Sequence, residues 1–170
     1  MTNCIGFKPV SRRDARVLIL GTLPGAESLK QQQYYAKKQN SFWKIMGELV
    51  AATPDLPYED RLLRLTESGI ALWDVCAAAY REGSLDSAIQ SPTPNDFAGF
   101  FKTHKKIELI CFNGQPAAKL FRRHVAPALP EKALVLPRQT LPSTSPAHAG
   151  MKYQQKLSLW RAALGDHLAY

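Results

Sequence analysis

Two tyrosines and two lysines follow the first apolar segment at a spacing that could grip a nucleotide. Tyr34 and Tyr35 are separated from Lys37 and Lys38 by one alanine. Aromatic faces stack on bases and lysines bind phosphates, so interleaving the two is typical of sites for single-stranded or extruded nucleotides. The alternative is a half-buried tyrosine beside solvated lysines, and these four residues alone favour it.

A second group of candidates has side chains that can donate or accept hydrogen bonds. Asn113 ends an apolar run, and its amide can both donate to and accept from a base edge. Capping of the helix predicted from Gln115 explains Asn113 equally well. Asp74 lies inside an apolar stretch and is either a ligand contact or a buried cap, of which the cap is favoured.

A hydroxyl-rich loop follows the last predicted strand. Ser143, Thr144 and Ser145 lie between two prolines, which makes a rigid, donor-rich loop suited to a phosphate backbone. His148 could serve as a general acid, but an exposed histidine in a loop is more often a neutral surface residue. The sequence has no GxSxG elbow and no Ser–His–Asp set that spacing can pair.

The loop after the first strand, 21–25, contains two glycines and a proline. These residues let the backbone turn sharply and leave amides free to face a ligand. The loop is neither a Walker loop nor GxGxxG. Alone it is weak support for a site, because many strand-to-helix turns contain glycine and proline.

Four apolar segments predict the strands that position these residues. Their nearly continuous apolar character is typical of parallel strands covered on both faces. The predicted strands are Arg16–Leu20, Ile70–Val75, Ile107–Phe112 and Ala133–Leu136.

Helical patterns alternate with these strands. The predicted helices are Ser41–Ala52, Tyr58–Glu67, one capped at Thr93-Pro94 and running through Phe101, Gln115–Val125 and Lys152–Leu164. Alternating strands and helices predict an α/β fold, a three-layer α/β/α sandwich around a four-stranded parallel sheet. Open parallel sheets bind ligands beyond the carboxyl ends of their strands, where all the candidates above lie.

Composition limits the class of protein. The 170 residues predict one domain, 1–170, and 22 basic against 14 acidic residues give a net charge of +8. That charge fits either simple solubility or a polyanionic partner such as nucleic acid. No apolar run is long enough for a membrane span, and residues 1–16 have no export signal. Three scattered cysteines exclude a disulfide scaffold and a four-cysteine metal site, and fit a reducing cytoplasm.

The order of these segments resembles the uracil-DNA glycosylase superfamily, most closely its hypoxanthine-DNA glycosylase branch. Six matching phrases in register are more specific than any one of them. They are 17–25 (VLILGTLPG), 34–43 with Tyr34-Tyr35-Ala36 and Asn40-Ser41-Phe42-Trp43, 69–75 (GIALWDV), 83–86 (GSLD), 112–114 (FNG) and 141–147 (LPSTSPA). The resemblance implies a single α/β/α domain with a four-stranded parallel sheet.

The resemblance also implies roles for particular residues. Asn40 corresponds to the catalytic residue of this branch, and Tyr35 to the aromatic residue that stacks on the extruded base. Asn113 corresponds to an asparagine that contacts the base or is needed for activity.

Two loops complete the expected site. Gly21, Thr22 and Leu23 belong to the loop that binds the base. The residues expected to hold the DNA backbone are Lys37, Lys38, Ser143, Thr144, Ser145, Pro146, Ala147 and His148.

The chain departs from its relatives at several positions. Leu23 stands where mismatch-type relatives have asparagine, and other branches have an aspartate next to it, so the usual water-activating group is missing. Lys37-Lys38 replaces His-Pro, and His148 replaces asparagine.

The expected function is hydrolysis of the N-glycosidic bond of a deaminated base flipped out of DNA, leaving an abasic site. Hypoxanthine is the first choice, with uracil and xanthine as further candidates. With no carboxylate base evident in the sequence, positioning and electrostatics are expected to lower the barrier. We expect no metal, no cofactor and no Schiff-base lysine, and a monomer that acts in the cytoplasm, on the nucleoid when bound to DNA.

Two alternatives stay open. A non-catalytic member of the same fold that binds DNA or a protein is consistent with Leu23 in the first motif. A flavodoxin-like nucleotide binder is disfavoured, because no phosphate-binding signature is present.

Overall fold

The structure is a computed structural model that describes residues 2–169. Its strands are β1 (Thr2–Ile5), β2 (Val17–Gly21), β3 (Ile70–Asp74), β4 (Cys76–Arg81), β5 (Gln90–Pro94), β6 (Leu109–Asn113) and β7 (Arg138–Leu141). Its α-helices are α1 (Ala26–Gln31), α2 (Phe42–Val50), α3 (Tyr58–Glu67), α4 (Phe97–Thr103), α5 (Gln115–His124), α6 (Glu131–Leu134) and α7 (Tyr153–Leu164). No helix in this part of the chain combines the length and the apolar character needed to cross a membrane.

Four strands form the predicted parallel sheet, in the order β3-β2-β6-β7. Every residue of β2, β3 and β6 is buried, which explains their nearly continuous apolar sequences. Gly21 pairs with Asp74 across β2 and β3, so these residues end neighbouring strands at one edge of the sheet.

Helices cover both faces of this sheet, which confirms the three-layer α/β/α architecture. Successive strand residues point to opposite faces. Ile19 packs in one core with Phe42 of α2 and Trp160 of α7. Leu20 packs in the other core with Phe121 of α5.

A small antiparallel sheet, in the order β1-β4-β5, was not predicted from the sequence. Its strand β5 contains Thr93 and Pro94, so the prediction that these residues cap the next helix is wrong. Asp96 caps α4 instead, and its carboxylate accepts a hydrogen bond from the backbone N–H of Gly99 at 3.0 Å. Residues 93–101 contain both the end of β5 and the start of α4, so the N-cap of the helix lies three residues later than predicted.

The fourth strand of the parallel sheet was also predicted at the wrong place. Ala133 and Leu134 belong to α6, and the strand is Arg138–Leu141. The edge strand β7 exposes its first three residues, so its sequence is polar and has no apolar run. The apolar signal at 133–136 arises because Ala133 and Leu136 pack against the core beside α5.

Candidate active site

A cavity of about 320 Å³ opens at the carboxyl ends of the central strands. The last residues of β2, β3 and β6, which are Gly21, Asp74 and Asn113, all line it. This is the edge where parallel sheets bind ligands, and the volume lies within the range for small-molecule sites.

Most residues predicted from the sequence to form the site line this one cavity. Asn40 and Asn113, which are far apart in the sequence, both contribute to its wall. The others are Tyr35, Gly21, Thr22, Leu23, Lys37, Ser143, Thr144, Ser145, Pro146 and Ala147. Lys38 and His148 do not line it.

Lys38 and His148 lie instead in a neighbouring groove, which we call the basic groove. The groove is lined by Lys38, Gln39, Asn40, Ser41, Lys44, Thr144, Ser145, Pro146, His148, Ala149, Met151, Tyr153 and Lys156. Its lining contains three lysines and no carboxylate. Asn40 and the 144–146 segment line both the groove and the cavity.

Side chains within the basic groove are held in place by their neighbours. The Lys44 ammonium lies 4.4 Å from the centre of the Tyr153 ring. Lys156 donates a hydrogen bond to the carbonyl of His148 at 2.8 Å, and burial lowers the pKa of its amine. These contacts leave a positively charged surface suited to a polyanion.

Asn113 connects the sheet to the hydroxyl-rich loop. Its amide nitrogen donates to the Thr144 hydroxyl and its amide oxygen accepts from the Thr144 backbone N–H, both at 2.9 Å. The Thr144 carbonyl in turn accepts from the backbone N–H of Ser41 at 3.0 Å. Helix capping by Asn113 is therefore the wrong interpretation, since Gly114 is the N-cap of α5.

Gly114 lets the hydroxyl-rich loop approach the strand end. Its φ of +96° lies in a region that favours glycine, and a Cβ there would lie 3.0 Å from the Cβ of Ser143. Both the backbone conformation and the close approach of Ser143 therefore favour glycine at position 114. The Asn-Gly pair serves a strand-to-helix turn here.

Asn40 lies just before α2, and one of the two polar atoms of its side chain is hydrogen-bonded to the helix. Its amide oxygen accepts from the backbone N–H of Phe42 at 3.0 Å. The side chain is partly exposed, and its amide nitrogen makes no hydrogen bond to residues 2–169. A free amide donor therefore stands at the boundary between cavity and groove.

Tyr35 is held in a strained conformation beside the cavity. Its φ is +54°, which is unfavourable for a bulky residue, and strain of this kind clusters at functional sites. Its ring stacks on Phe42, with 4.2 Å between centroids and 23° between planes. One ring face is thus occupied, and a base could stack only on the opposite face.

Gly21 brings two polar side chains together at the strand ends. A Cβ at this position would lie 2.6 Å from Asp74 Oδ1 and 2.7 Å from the Tyr35 hydroxyl. Any larger residue would collide with both groups. The Tyr35 hydroxyl and Asp74 Oδ2 are buried and have no hydrogen-bond partner among the described residues.

Asp74 is the most perturbed acid in the cavity. It is 4% exposed, and the pKa of its carboxyl group is raised to about 7. Burial is the largest cause of this rise, the nearby Asp86 carboxylate adds to it, and Arg81 opposes it. The prediction that Asp74 is a cap is wrong, because it ends a strand and caps no helix.

The buried Arg81 and the partly exposed Asp86 support the first loop from beneath. Arg81 donates to the Pro24 carbonyl, and its guanidinium lies 3.7 Å from the Asp86 carboxylate. Thr22 donates its hydroxyl to the same Asp86 carboxylate at 2.7 Å. These contacts hold the 21–25 loop against the turn at 82–86.

Leu23 is an apolar part of the cavity wall. It is 6% exposed and packs in a small cluster with Cys4, Cys76 and Ala79. Leucine therefore fits an apolar niche in the first loop.

Sequence reasoning favoured the wrong role for one carboxylate and missed two lysines. Asp74 carried a usable signal, since it is an isolated acid at the end of an apolar strand. Lys44 and Lys156 carried none, because helix-surface lysines are usually solvated and only the packing of α2 and α7 places them in one groove.

Comparison with known proteins agrees with this arrangement. Residues 7–168 match the uracil DNA glycosylase superfamily. A hypoxanthine DNA glycosylase from Methanosarcina acetivorans is 43% identical over 115 residues, which are 67% of this chain and 73% of that protein. A hypoxanthine DNA glycosylase from Methanosarcina barkeri is 35% identical over the same shares of the two chains.

A solved structure has the same fold. It is the solution NMR structure of a Methanosarcina acetivorans protein provisionally assigned as a uracil DNA glycosylase. The TM-score is 0.79 at 35% identity, with 95% of this chain and 96% of that chain covered. Sequence, fold and strand-end cavity agree with the predicted resemblance, and the chain belongs to the uracil DNA glycosylase superfamily.

Proposed function

We propose that this DNA glycosylase hydrolyses the N-glycosidic bond of a deaminated base, hypoxanthine before uracil or xanthine, flipped out of DNA. The supporting observation is that Asn40 lines both the cavity and the basic groove. A glycosidic bond joins a base to the backbone sugar. If the base occupies the cavity and the backbone follows the groove, this bond lies beside Asn40.

The basic groove supplies contacts that offset the free-energy cost of flipping the base out of the duplex. Flipping a nucleotide costs a few kcal/mol, and least when the base is mismatched or damaged. Lys38 and Lys44 can bind phosphates there. In the hydroxyl-rich loop, the Oγ atoms of Ser143 and Ser145 accept hydrogen bonds from loop amides, which leaves their O–H groups free to donate to the backbone.

The flipped base would lie in the cavity on the face of Tyr35 opposite Phe42. Asn113 serves this arrangement by holding Thr144 at the boundary between cavity and groove, with its side chain in the cavity wall beside the base. The backbone amides of the 21–25 loop can stabilise charge on the departing base.

The reaction breaks the bond between the sugar C1′ and the base nitrogen. The electron pair leaves with the base, and water attacks C1′ to give an abasic sugar and a free, reprotonated base. The free amide of Asn40 orients that water. No lysine need form a Schiff base, so strand cleavage is not part of the reaction.

Two relatives named hypoxanthine DNA glycosylases support hypoxanthine as the first substrate. The partner is then DNA that contains a deaminated base. We propose that the protein acts on it as a monomer, without a cofactor, in the cytoplasm where it binds the nucleoid.

Incubation with duplexes that carry hypoxanthine, uracil or xanthine, followed by alkali, tests this function. We expect strand breaks at the modified position only after alkali, with hypoxanthine the fastest. Breaks before alkali would contradict a monofunctional enzyme. Salt-sensitive binding without any breaks would replace catalysis with DNA binding alone.

A further inference from the structure

The Asp74 carboxyl group has no use in the mechanism above, yet it is buried in the cavity wall. It is 4% exposed, and its Oδ2 has no hydrogen-bond partner among the described residues. A buried acid without a partner destabilises the fold, and such groups are rare in native proteins. An unsatisfied acceptor in a ligand cavity indicates a donor on the ligand.

The position of Asp74 shows which part of a nucleotide it would meet. Asp74 lines the cavity but not the basic groove, whereas Asn40 lines both. A group that reached the sugar or a phosphate would lie at the shared boundary. Asp74 is therefore placed to contact the base.

Gly21 places Asp74 at the hydroxyl end of the Tyr35 ring. Asp74 Oδ1 and the Tyr35 hydroxyl both lie within 2.7 Å of the point where a Cβ on Gly21 would stand. A base stacked on the Tyr35 face opposite Phe42, with its edge at the hydroxyl end of the ring, would bring a ring nitrogen towards the carboxylate.

We propose that Asp74 is a specificity-determining residue that accepts a hydrogen bond from the ring N–H of a lactam base; this rests on the proposed function. Hypoxanthine and xanthine have that hydrogen on N1, and uracil has it on N3. Adenine N1 and cytosine N3 carry a lone pair instead. The ionised carboxylate, which predominates at pH 8 because the pKa of Asp74 is about 7, repels that lone pair because it can only accept. Asp74 thus distinguishes deaminated bases from their amino precursors by the hydrogen that deamination adds.

The Arg81 guanidinium and the Asp86 carboxylate modulate this acceptor. Arg81 stabilises negative charge on Asp74, while Asp86 opposes it. The remaining ionisable groups coupled to Asp74 are Tyr34, Tyr35 and Cys76. Arg81 is the positively charged group that acts on Asp74, and no described residue donates a hydrogen bond to Asp74 Oδ2, so a ring N–H of the base can serve as a donor to this carboxylate.

Asp74→Asn provides the test, because it keeps the shape and adds an N–H donor. The amide can accept from hypoxanthine N1–H, but it can also donate to adenine N1. We expect the ratio of hypoxanthine to adenine excision, measured in otherwise identical mismatched duplexes, to fall at least about 10-fold. Asp14→Asn, an exposed position outside the cavity, makes the same change in charge and should leave the ratio unaltered.

The ratio separates base recognition from other roles of Asp74. If Asp74 activated water or only supported the fold, Asp74→Asn would slow excision of both bases by one common factor. An unchanged ratio, with or without such a common loss, would overturn the proposal. The proposal is supported if the ratio of hypoxanthine to adenine excision falls in Asp74→Asn while its circular dichroism spectrum stays normal. The ratio must also stay unchanged in Asp14→Asn.

Equilibrium binding tests the inference apart from catalysis. Fluorescence anisotropy with the same two duplexes gives the hypoxanthine-over-adenine preference of wild type and Asp74→Asn. If wild type releases no base from any duplex, the proposed function fails, but a binding preference lost in Asp74→Asn still supports recognition. Equal preferences in the two proteins, or none in wild type, would overturn the inference even if wild type excises hypoxanthine.

Discussion

Both polar atoms of the Asn113 side chain are hydrogen-bonded to one residue, Thr144, at 2.9 Å each. The two residues are 31 positions apart, and Thr144 is bonded in turn to Ser41, 103 positions away. The end of β6, the loop after β7 and the segment before α2 are therefore tied at one point between the cavity and the basic groove.

Thr144→Val should loosen this junction. Valine keeps the shape but leaves the buried amide nitrogen of Asn113 without its acceptor, which costs about 1–3 kcal/mol in the free energy of unfolding. Urea denaturation measures this loss. Thr144→Ser keeps the hydroxyl and should stay within about 1 kcal/mol of wild type; if serine and valine were equally destabilising, the hydroxyl contact would not matter.

Asn40→Ala should slow single-turnover excision about 100-fold or more, by analogy with loss of one preorganised catalytic group. The substitution also removes the acceptor for the Phe42 N–H. Asn40→Ser, which retains a capping oxygen but no amide, is the matched control for that structural effect. Both variants should be slow, and a serine variant as fast as wild type would refute the catalytic role.

Tyr35→Ala should weaken binding to hypoxanthine-containing DNA by about 1–3 kcal/mol, because the stacking platform is lost. The measurement is best made in the Asn40→Ala background, so that the base is not released during titration. Tyr35→Phe keeps the ring, so in the same background it should bind this DNA as tightly as the Asn40→Ala variant does. Unaltered affinity in the alanine variant would mean that the base does not stack on this ring.

Lys38→Gln should reduce the slope of log affinity against log salt concentration by about one, since one phosphate contact is lost. The weakening should be similar for damaged and undamaged duplexes. Lys132→Gln, in α6 and outside the basic groove, has the same charge change and should keep the wild-type slope. Identical slopes for both variants would show that the backbone does not follow the groove.

Asp74→Asn should alter how stability depends on pH. The wild-type carboxyl group has a pKa of about 7 when folded, against 3.8 as its ordinary value. Between these values the folded state binds a proton that the unfolded state releases, so wild type loses stability as pH rises through this window.

The asparagine variant has no such group. Its free energy of unfolding relative to wild type should therefore increase by about 3 kcal/mol from pH 5 to pH 8. Urea denaturation at the two pH values measures the difference. Parallel stability profiles for the two proteins would mean that Asp74 has an ordinary pKa in the folded state.

The sequence alone determined three of the four strands of the parallel sheet, its helical layers and the family. Buried parallel strands must be apolar throughout, as in Ile70–Asp74, and covering helices must carry an apolar stripe, as in Phe42–Val50. Both requirements leave local patterns that can be read directly. The rule that ligands bind beyond the carboxyl ends of strands then indicated the loops that line the cavity.

Other features depended on neighbours that are distant in the chain. The edge strand Arg138–Leu141 is exposed and polar, so it had no local signal. Whether Asn113 caps a helix or binds Thr144, and whether Asp74 has a partner, depends on contacts across the fold. Hydrogen-bond satisfaction and burial are properties of the packed tertiary structure, and only that structure showed a carboxylate without a partner in the cavity wall.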